Sequence, residues 1–176
     1  MSNSRKKSYQ VFDCGIFTVR CDNYFLAKTN DIHNFFIIEP TNWVNIIAIT
    51  NNQEVILVKQ YRYGAEITTL EIPGGMIDKG EEPQIAAKRE FLEETGYKAK
   101  NWQLIGVTDP NPAIQSNKCY TFLATELEYL KRPELDNTEE IELITIPLNT
   151  IPIMIREGKI SHSLVITAFY YYELFK

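Results

Sequence analysis

The 176-residue sequence has few of the residues that build disulfide or zinc frameworks. It contains three cysteines, Cys14, Cys21 and Cys119, and two histidines, His33 and His162. The cysteines are odd in number and lack metal-ligand spacing, which favours free thiols in a reducing compartment. Neither histidine has a metal partner at ligand spacing, so we expect neither to be a ligand.

The sequence also lacks long hydrophobic runs and a basic charge excess. No apolar run approaches 18 residues, and no apolar segment follows the basic N-terminus, so neither a membrane span nor a signal peptide is expected and the cytoplasm is predicted. The net charge is −5 and the pI near 5.2. This balance predicts no nucleic-acid or membrane partner, and an anionic substrate would need local Arg, Lys or a metal.

Short strand-like segments dominate the chain, without repeats or long linkers. Val, Ile, Phe and Thr enrichment between polar turns predicts strands over residues 17–26, 33–39, 44–50, 54–63, 66–71, 102–108, 118–127 and 141–146. Helical patterns cover residues 83–95, 150–157 and 162–175. Closely spaced strands flanked by helices predict an α+β fold, with a mixed sheet in an α/β/α sandwich.

Three acids, Glu90, Glu93 and Glu94, crowd one face of the first predicted helix. At about 100° per residue they fall within an arc of about 100°, while Ile85 and Leu92 point away and are predicted to face the core. Neighbouring carboxylates repel, and a hard divalent cation between them would remove the repulsion. Taken alone, the acids are also typical of a solvated helix face.

The spacing around these acids is more specific than the acids themselves. Residues 75–97 read G-x5-E-x7-R-E-φ-x-E-E-x-G-φ, where φ is apolar, and this pattern resembles the Nudix box of the Nudix hydrolase family. All seven fixed positions match: Gly75, Glu81, Arg89, Glu90, Glu93, Glu94 and Gly96. The resemblance implies the Nudix fold, with the box as a loop–helix–loop, and hydrolysis of a nucleoside diphosphate linked to another group.

Roles for the box residues follow from helix geometry and from the resemblance. Glu90 and Glu94, one turn apart, are the first-choice Mg²⁺ ligands, with Mn²⁺ as a substitute. Glu93 lies on the same face and is assigned both to the metal and to the catalytic set, as the ligand of a second ion. The resemblance adds the Gly74 carbonyl. Arg89 is placed near Glu93 and Glu81 rather than at the metal, in a structural ion pair with Glu81.

The general base is predicted outside the box. Glu139 and Glu140 lie between an irregular segment and a predicted strand, and similar ADP-ribose pyrophosphatases carry a loop glutamate at this place. Glu139 is slightly favoured over Glu140. Surface acids at a strand start are the alternative interpretation for this pair.

Further stretches resemble the ADP-ribose and nucleoside-diphosphate-sugar hydrolases. Gln60 and Arg62 lie on a strand before the box, and Arg62 is suited to a bidentate diphosphate contact, the alternative being a solvated strand arginine. Glu71 belongs to the Leu-Glu-Ile-Pro-Gly-Gly approach to the box. Pro112 follows the box at a distance similar to that of a proline in these enzymes. It lies within Asn-Pro-Ala, where many of them have Ser-Pro-Gly. These four residues are the predicted substrate-binding set.

Together these patterns predict Mg²⁺-dependent hydrolysis of the pyrophosphate bond in nucleoside diphosphate sugars, with ADP-ribose cleaved to AMP and ribose 5-phosphate. A nucleoside triphosphate pyrophosphatase and a non-catalytic ADP-ribose sensor are the alternatives. We expect residues 44–176 to form the hydrolase domain. Residues 1–43 are expected to be a strand-rich arm, which in similar enzymes supports a homodimer and completes the partner's substrate site.

Overall fold

The computed structural model describes residues 2–135 and 140–176, and the chain divides into two compact units. Unit 1 comprises the residues up to Asn42 together with Asp109–Lys118, and unit 2 comprises Trp43–Thr108 and Cys119–Lys176. The strands are β1 (Ser4–Asp13), β2 (Phe17–Leu26), β3 (Asp31–Pro40), β4 (Trp43–Ala48), β5 (Glu54–Arg62), β6 (Ile67–Glu71), β7 (Gly74–Met76), β8 (Tyr97–Thr108), β9 (Cys119–Tyr129) and β10 (Ile141–Pro147). The helices are α1 (Pro83–Thr95), α2 (Ile151–Arg156) and α3 (Ser163–Phe175). Within the described part of the chain, no helix has the length and apolar character needed to cross a membrane.

Unit 1 is built on an antiparallel sheet in the order β1-β2-β3. Segment 109–118 joins it by backbone hydrogen bonds on either side of Ile38, which donates to Ile114 and accepts from Ser116. A charged cluster fixes the sheet. Asp22 is 2% exposed and accepts hydrogen bonds from Ser8 at 2.5 Å and from Arg20 at 3.2 Å. Pairing with charged donors offsets the cost of burying this carboxylate.

Unit 2 contains a mixed sheet, as predicted. Its strands run in the order β7-β4-β9-β8, with β4 parallel to β9 and the other pairs antiparallel. A second, antiparallel sheet has the order β10-β5-β6. The alternation of side chains along β4 sends residues to opposite faces, because successive Cβ atoms of a strand point to opposite sides.

Two hydrophobic clusters therefore form in unit 2. Val44, Ile46 and Ala48 of β4 join the first, which packs against α1, while Ile47 and Ile49 join the second. The second cluster includes α2 and α3 residues such as Ile151, Val165, Ala168 and Phe169. Helices on both faces of the strands give the predicted α/β/α arrangement.

Most predicted elements are confirmed, and the differences have physical causes. All eight predicted strands and all three predicted helices are present. β1 was missed because its sequence, SRKKSYQVFD, is polar and its residues are almost entirely exposed, so it has no apolar alternation. Gly74 and Gly75, predicted as a loop, form β7 by pairing with β4. Pairing between distant segments is invisible to local sequence patterns.

Candidate functional site

The helix that carries the predicted metal ligands begins and ends as its sequence indicates. Pro83 occupies the first turn, where a missing N–H is harmless. Gly96 ends the helix in the left-handed conformation, with φ of 73°, and donates its N–H to the Leu92 carbonyl. A side chain at Gly96 would also overlap the Lys131 carbonyl. Glycine is therefore required there by both conformation and space.

Two acids of α1, Glu90 and Glu94, face inward, contrary to the predicted orientation of the helix. The core face of α1 consists of Ala86, Ala87 and Phe91, each 0% exposed, and Glu94 lies in the same face at 5% exposed. Ile85, predicted to face the core, is 55% exposed. Ala86, Ala87, Phe91 and Glu94 lie on one side of the helical wheel, and Ile85 lies on the other. The interpretation of the acids as a solvated face is therefore wrong for Glu94.

The two glycines before the helix bring the backbone against these carboxylates. The Gly74 N–H donates to Glu94 Oε2 at 2.9 Å. A Cβ atom on Gly75 would overlap the Glu90 carboxylate, and one on Gly74 would overlap the Val44 carbonyl. Gly74 requires glycine because it lies against backbone atoms of β4, whereas a side chain at position 75 would displace the Glu90 carboxylate. Glu90, Glu94 and the backbone at Gly74 and Gly75 consequently converge on one place.

Arg89 neutralises several of the acids at once. Its Nε and Nη2 atoms donate to the two oxygens of Glu81 at 3.1 and 2.8 Å, which confirms the predicted ion pair. Its Nη1 atom also donates to Glu93 at 3.3 Å, in agreement with the predicted placement, and to Glu90 at 2.8 Å, a contact that was not predicted. The hydrogen bonds from Arg89 outweigh burial and hold the pKa of Glu81 below its usual value.

The oxygen atoms at this place suit a hard divalent cation. Glu94 is buried, and the side chain of Glu90 is only 15% exposed, whereas that of Glu93 is 43% exposed and lies against Arg89. Within residues 2–135 and 140–176, no three side chains of His, Cys, Asp or Glu converge closely enough to hold a metal by themselves. Two carboxylates, a backbone carbonyl and water fit Mg²⁺, which usually takes one or two carboxylates and keeps several waters.

A second charged centre lies on β5 and β6. Arg62 donates from Nε and Nη2 to the two oxygens of Glu71, each at 2.8 Å, and the Thr69 hydroxyl donates to the same carboxylate at 2.6 Å. Glu71 is 4% exposed, whereas the side chain of Arg62 is 44% exposed. Burial by itself would raise the pKa of Glu71, but the bonds from Arg62 and Thr69 keep it below its usual value.

Chain geometry keeps the two centres close. Glu71 is three residues before Gly74, so their Cα atoms lie within about 11 Å of each other. The Pro73 carbonyl between them accepts from the Ile46 N–H at 2.8 Å, which ties this segment to β4. The carboxylates of α1 and the guanidinium of Arg62 therefore belong to one region of unit 2.

The remaining predicted residues are placed as follows. Gln60 lies on β5 opposite Thr69, on the face that carries Arg62. Glu140 is exposed and immediately precedes β10, whose first residue, Ile141, pairs with Gln60. The sheet thus brings Glu140 to the end of β5 that carries Arg62. Glu139 lies outside the described residues.

Pro112 belongs to the other compact unit, in segment 109–118 of unit 1. The other described residues of the predicted site, from Gln60 to Glu140, all lie in unit 2.

Thr69 was missed by the sequence analysis. Its hydroxyl donates to Glu71 beside the two donors of Arg62. A signal was available in the alternation of the two strands. If residues 54–63 and 66–71 form a hairpin, Thr69 and Glu71 share a face, and that face meets Gln60 and Arg62.

Comparison with known proteins agrees with this geometry. The Nudix domain model matches residues 40–167. ADP-ribose pyrophosphatase of Bacillus subtilis is 34% identical over 78% of this chain and 75% of its own length. Methanol dehydrogenase activator of Bacillus methanolicus is 29% identical over 96% of this chain and 91% of its own length. The protein is a Nudix hydrolase, a member of the family defined by the Nudix domain.

The fold is confirmed independently by a solved structure. The crystal structure of an ADP compounds hydrolase superposes with a TM-score of 0.85, covering 99% of this chain and 94% of that one. The sequence identity is 21%, so this likeness concerns the fold alone.

Proposed function

We propose that this protein hydrolyses the pyrophosphate bond of nucleoside diphosphate sugars with Mg²⁺, and that ADP-ribose, cleaved to AMP and ribose 5-phosphate, is its preferred substrate. One observation carries the proposal. The inward carboxylates of Glu90 and Glu94 lie against the Gly74–Gly75 backbone. Glu71, which binds Arg62, is three residues before Gly74 in the chain. Carboxylates for a cation and an arginine for phosphate are the groups that such a reaction needs.

The proposed ligands of the cation are the Gly74 carbonyl, Glu90 and Glu94, and Glu93 is proposed as the ligand of a second ion. A divalent cation bound there neutralises phosphate charge and lowers the pKa of an attacking water. The buried environment of Glu94 and its bond from Gly74 hold one ligand in a fixed orientation. Mn²⁺, which prefers similar oxygen ligands, is expected to substitute.

The proposed substrate contacts begin at Arg62, whose half-exposed guanidinium suits the diphosphate. Gln60 lies on the same strand face and is assigned to the substrate as well. Pro112 is also proposed as a substrate-binding residue. The general base is Glu139 or Glu140, with Glu139 favoured. Either residue would accept a proton from the attacking water.

Substrate preference is tested with purified full-length protein and a panel of ADP-ribose, sugar-linked GDP and UDP compounds, and deoxynucleoside triphosphates. With Mg²⁺ we expect release of AMP and ribose 5-phosphate from ADP-ribose, measured by anion-exchange chromatography. Removal of the cation by EDTA should abolish this, and added Mg²⁺ or Mn²⁺ should restore it. Cleavage of triphosphates alone would replace the proposal with triphosphate hydrolysis. Tight ADP-ribose binding without cleavage would indicate a sensor.

We further assign residues 1–43 to an arm that forms a homodimer. The sheet of unit 1 exposes large apolar side chains on β1 and β3, including Phe12 at 53% and Phe36 at 58% exposed. Exposed apolar clusters of this kind mark contact surfaces. Light scattering should give twice the 20.4 kDa mass of the chain, and Phe36→Ser should lower that mass. A monomeric wild-type protein would remove the assignment.

A further inference from the structure

Four functional side chains lie on one face of the hairpin formed by β5 and β6. The antiparallel register pairs Gln60 with Thr69, Arg62 with Ile67, and Val58 with Glu71. Directly paired residues point to the same side of a sheet, and every second residue of a strand does so too. Gln60, Arg62, Thr69 and Glu71 therefore share this face, and Arg62 reaches back along the hairpin to Glu71.

Glu71 is too enclosed to bind substrate itself. It is 4% exposed, and both of its oxygens accept hydrogen bonds from Arg62, one of them also from Thr69. A buried carboxylate is stable only when it is paired and hydrogen-bonded, and these three bonds meet that need. The predicted role of Glu71 in direct substrate contact is accordingly replaced by a role behind Arg62.

Arg62 is oriented by this arrangement while remaining accessible. Its contact with Glu71 uses two of the five N–H groups of the guanidinium, and its side chain is 44% exposed. A flexible arginine loses side-chain entropy when its guanidinium is fixed. If Glu71 has already fixed the guanidinium plane, less of that loss falls on substrate binding.

We propose that Glu71, together with Thr69, is a positioning residue that holds the guanidinium of Arg62 in the orientation in which it meets the diphosphate of the substrate. The inference rests on the proposed function for the identity of the substrate. It gives a role to Glu71 and Thr69, two strand residues outside the Nudix box. Glu71 and Glu81 each bind an arginine, but only the arginine bound by Glu71, Arg62, is proposed to contact the substrate.

The test is a double-mutant cycle in the full-length protein, measured as kcat/KM for ADP-ribose with Mg²⁺. Glu71→Gln keeps the size of the side chain but weakens its hold on Arg62, and we expect a loss of about 10-fold. Arg62→Ala should lose about 100-fold. The double variant should be no worse than Arg62→Ala, because Glu71 acts through Arg62. Thr69→Val should lose less than Glu71→Gln in the same direction.

A second readout separates positioning from simple stability. The ¹⁵N–¹H resonance of Arg62 Nε, assigned by its loss in Arg62→Ala, should move toward the position of a solvated arginine in Glu71→Gln. Glu142→Gln is the matched control, because Glu142 bonds Lys59 on the same sheet at 3.0 Å and its side chain is 65% exposed. This control should leave both kcat/KM and the Arg62 resonance unchanged. Thermal melting checks that every variant is folded.

The outcomes are distinguishable. If Glu71→Gln costs as much in the Arg62→Ala background as in wild type, Glu71 acts independently of Arg62 and the inference is overturned. An unchanged Arg62 resonance in Glu71→Gln overturns it as well. If wild-type protein cleaves nothing in the substrate panel, the proposed function fails, and the resonance measurement still decides whether Glu71 orients Arg62.

Discussion

Arg89 and Arg62 of unit 2 each form a two-point ion pair with a glutamate, but their surroundings differ. Arg89 binds Glu81, and Arg62 binds Glu71, each through Nε and Nη2 to both carboxylate oxygens. Arg89 continues to Glu90, Glu93 and the Met76 carbonyl, so its three nitrogen atoms make five hydrogen bonds. That number equals the N–H groups of a guanidinium.

The difference shows how surrounding charge decides what an arginine does. Arg89 lies among four acids, Asp78, Glu81, Glu90 and Glu93, whose mutual repulsion it reduces, and its hydrogen bond with Glu81 raises its own pKa despite partial burial. Arg62 binds the buried carboxylate of Glu71 on a strand face, and its side chain is more exposed than that of Arg89. We propose that the first arginine maintains the geometry of the metal ligands and that the second contacts the substrate.

The largest effect should come from the carboxylates that Arg89 surrounds. Glu94→Gln removes the charge needed to hold a cation but keeps an oxygen that accepts the Gly74 N–H. We therefore expect kcat to fall by at least about 100-fold with the fold intact, measured by steady-state kinetics and circular dichroism. Glu93→Gln should lose less, because Glu93 is the most exposed of the three acids. Near-normal kcat for Glu94→Gln would remove Glu94 from the metal site.

An intermediate effect should follow the loss of Arg89, whose five N–H groups are matched by five hydrogen bonds. Arg89→Met leaves Glu81 and Glu90 without their strongest partner, so we expect the free energy of unfolding to fall by about 2 kcal/mol in urea melts. Lys98→Met is the control, since the Lys98–Glu128 pair has side chains 48% and 53% exposed. An exposed pair of this kind contributes less than about 1 kcal/mol. Equal losses would mean that Arg89 adds only surface charge.

The smallest effect should be a change in the pH dependence of stability, caused by the lowered pKa of Glu71. Its pKa is lower in the folded than in the unfolded state, so its contribution to stability is present above the unfolded pKa of about 4.3 and is lost as pH falls through the folded pKa. Wild type should therefore exceed Glu71→Gln in stability at pH 7, and the difference should shrink below about pH 4. Urea melts at several pH values measure this. A constant difference would show that charge plays no part.

Several features were predictable because they are local. Pro83 and Gly96 mark the ends of α1 by their backbone restrictions, and both are confirmed. The spacing of the acids indicated the family, which the Nudix domain model confirms. The orientation of α1 was not predictable from its apolar residues. Ile85 offered a larger apolar side chain than Ala86 or Ala87, but close packing on β4 and β7 favours the small residues.

The sequence by itself indicated the family, most of the elements and the candidate site residues, because residue spacing along one helix and alternation along single strands are properties of adjacent residues. Tertiary structure decided which groups meet. The inward orientation of Glu94, the close approach of the Gly75 backbone to Glu90, and the bond from Arg62 to Glu71 all depend on register between separate segments. Register is set by packing of the whole unit, so no local pattern contains it.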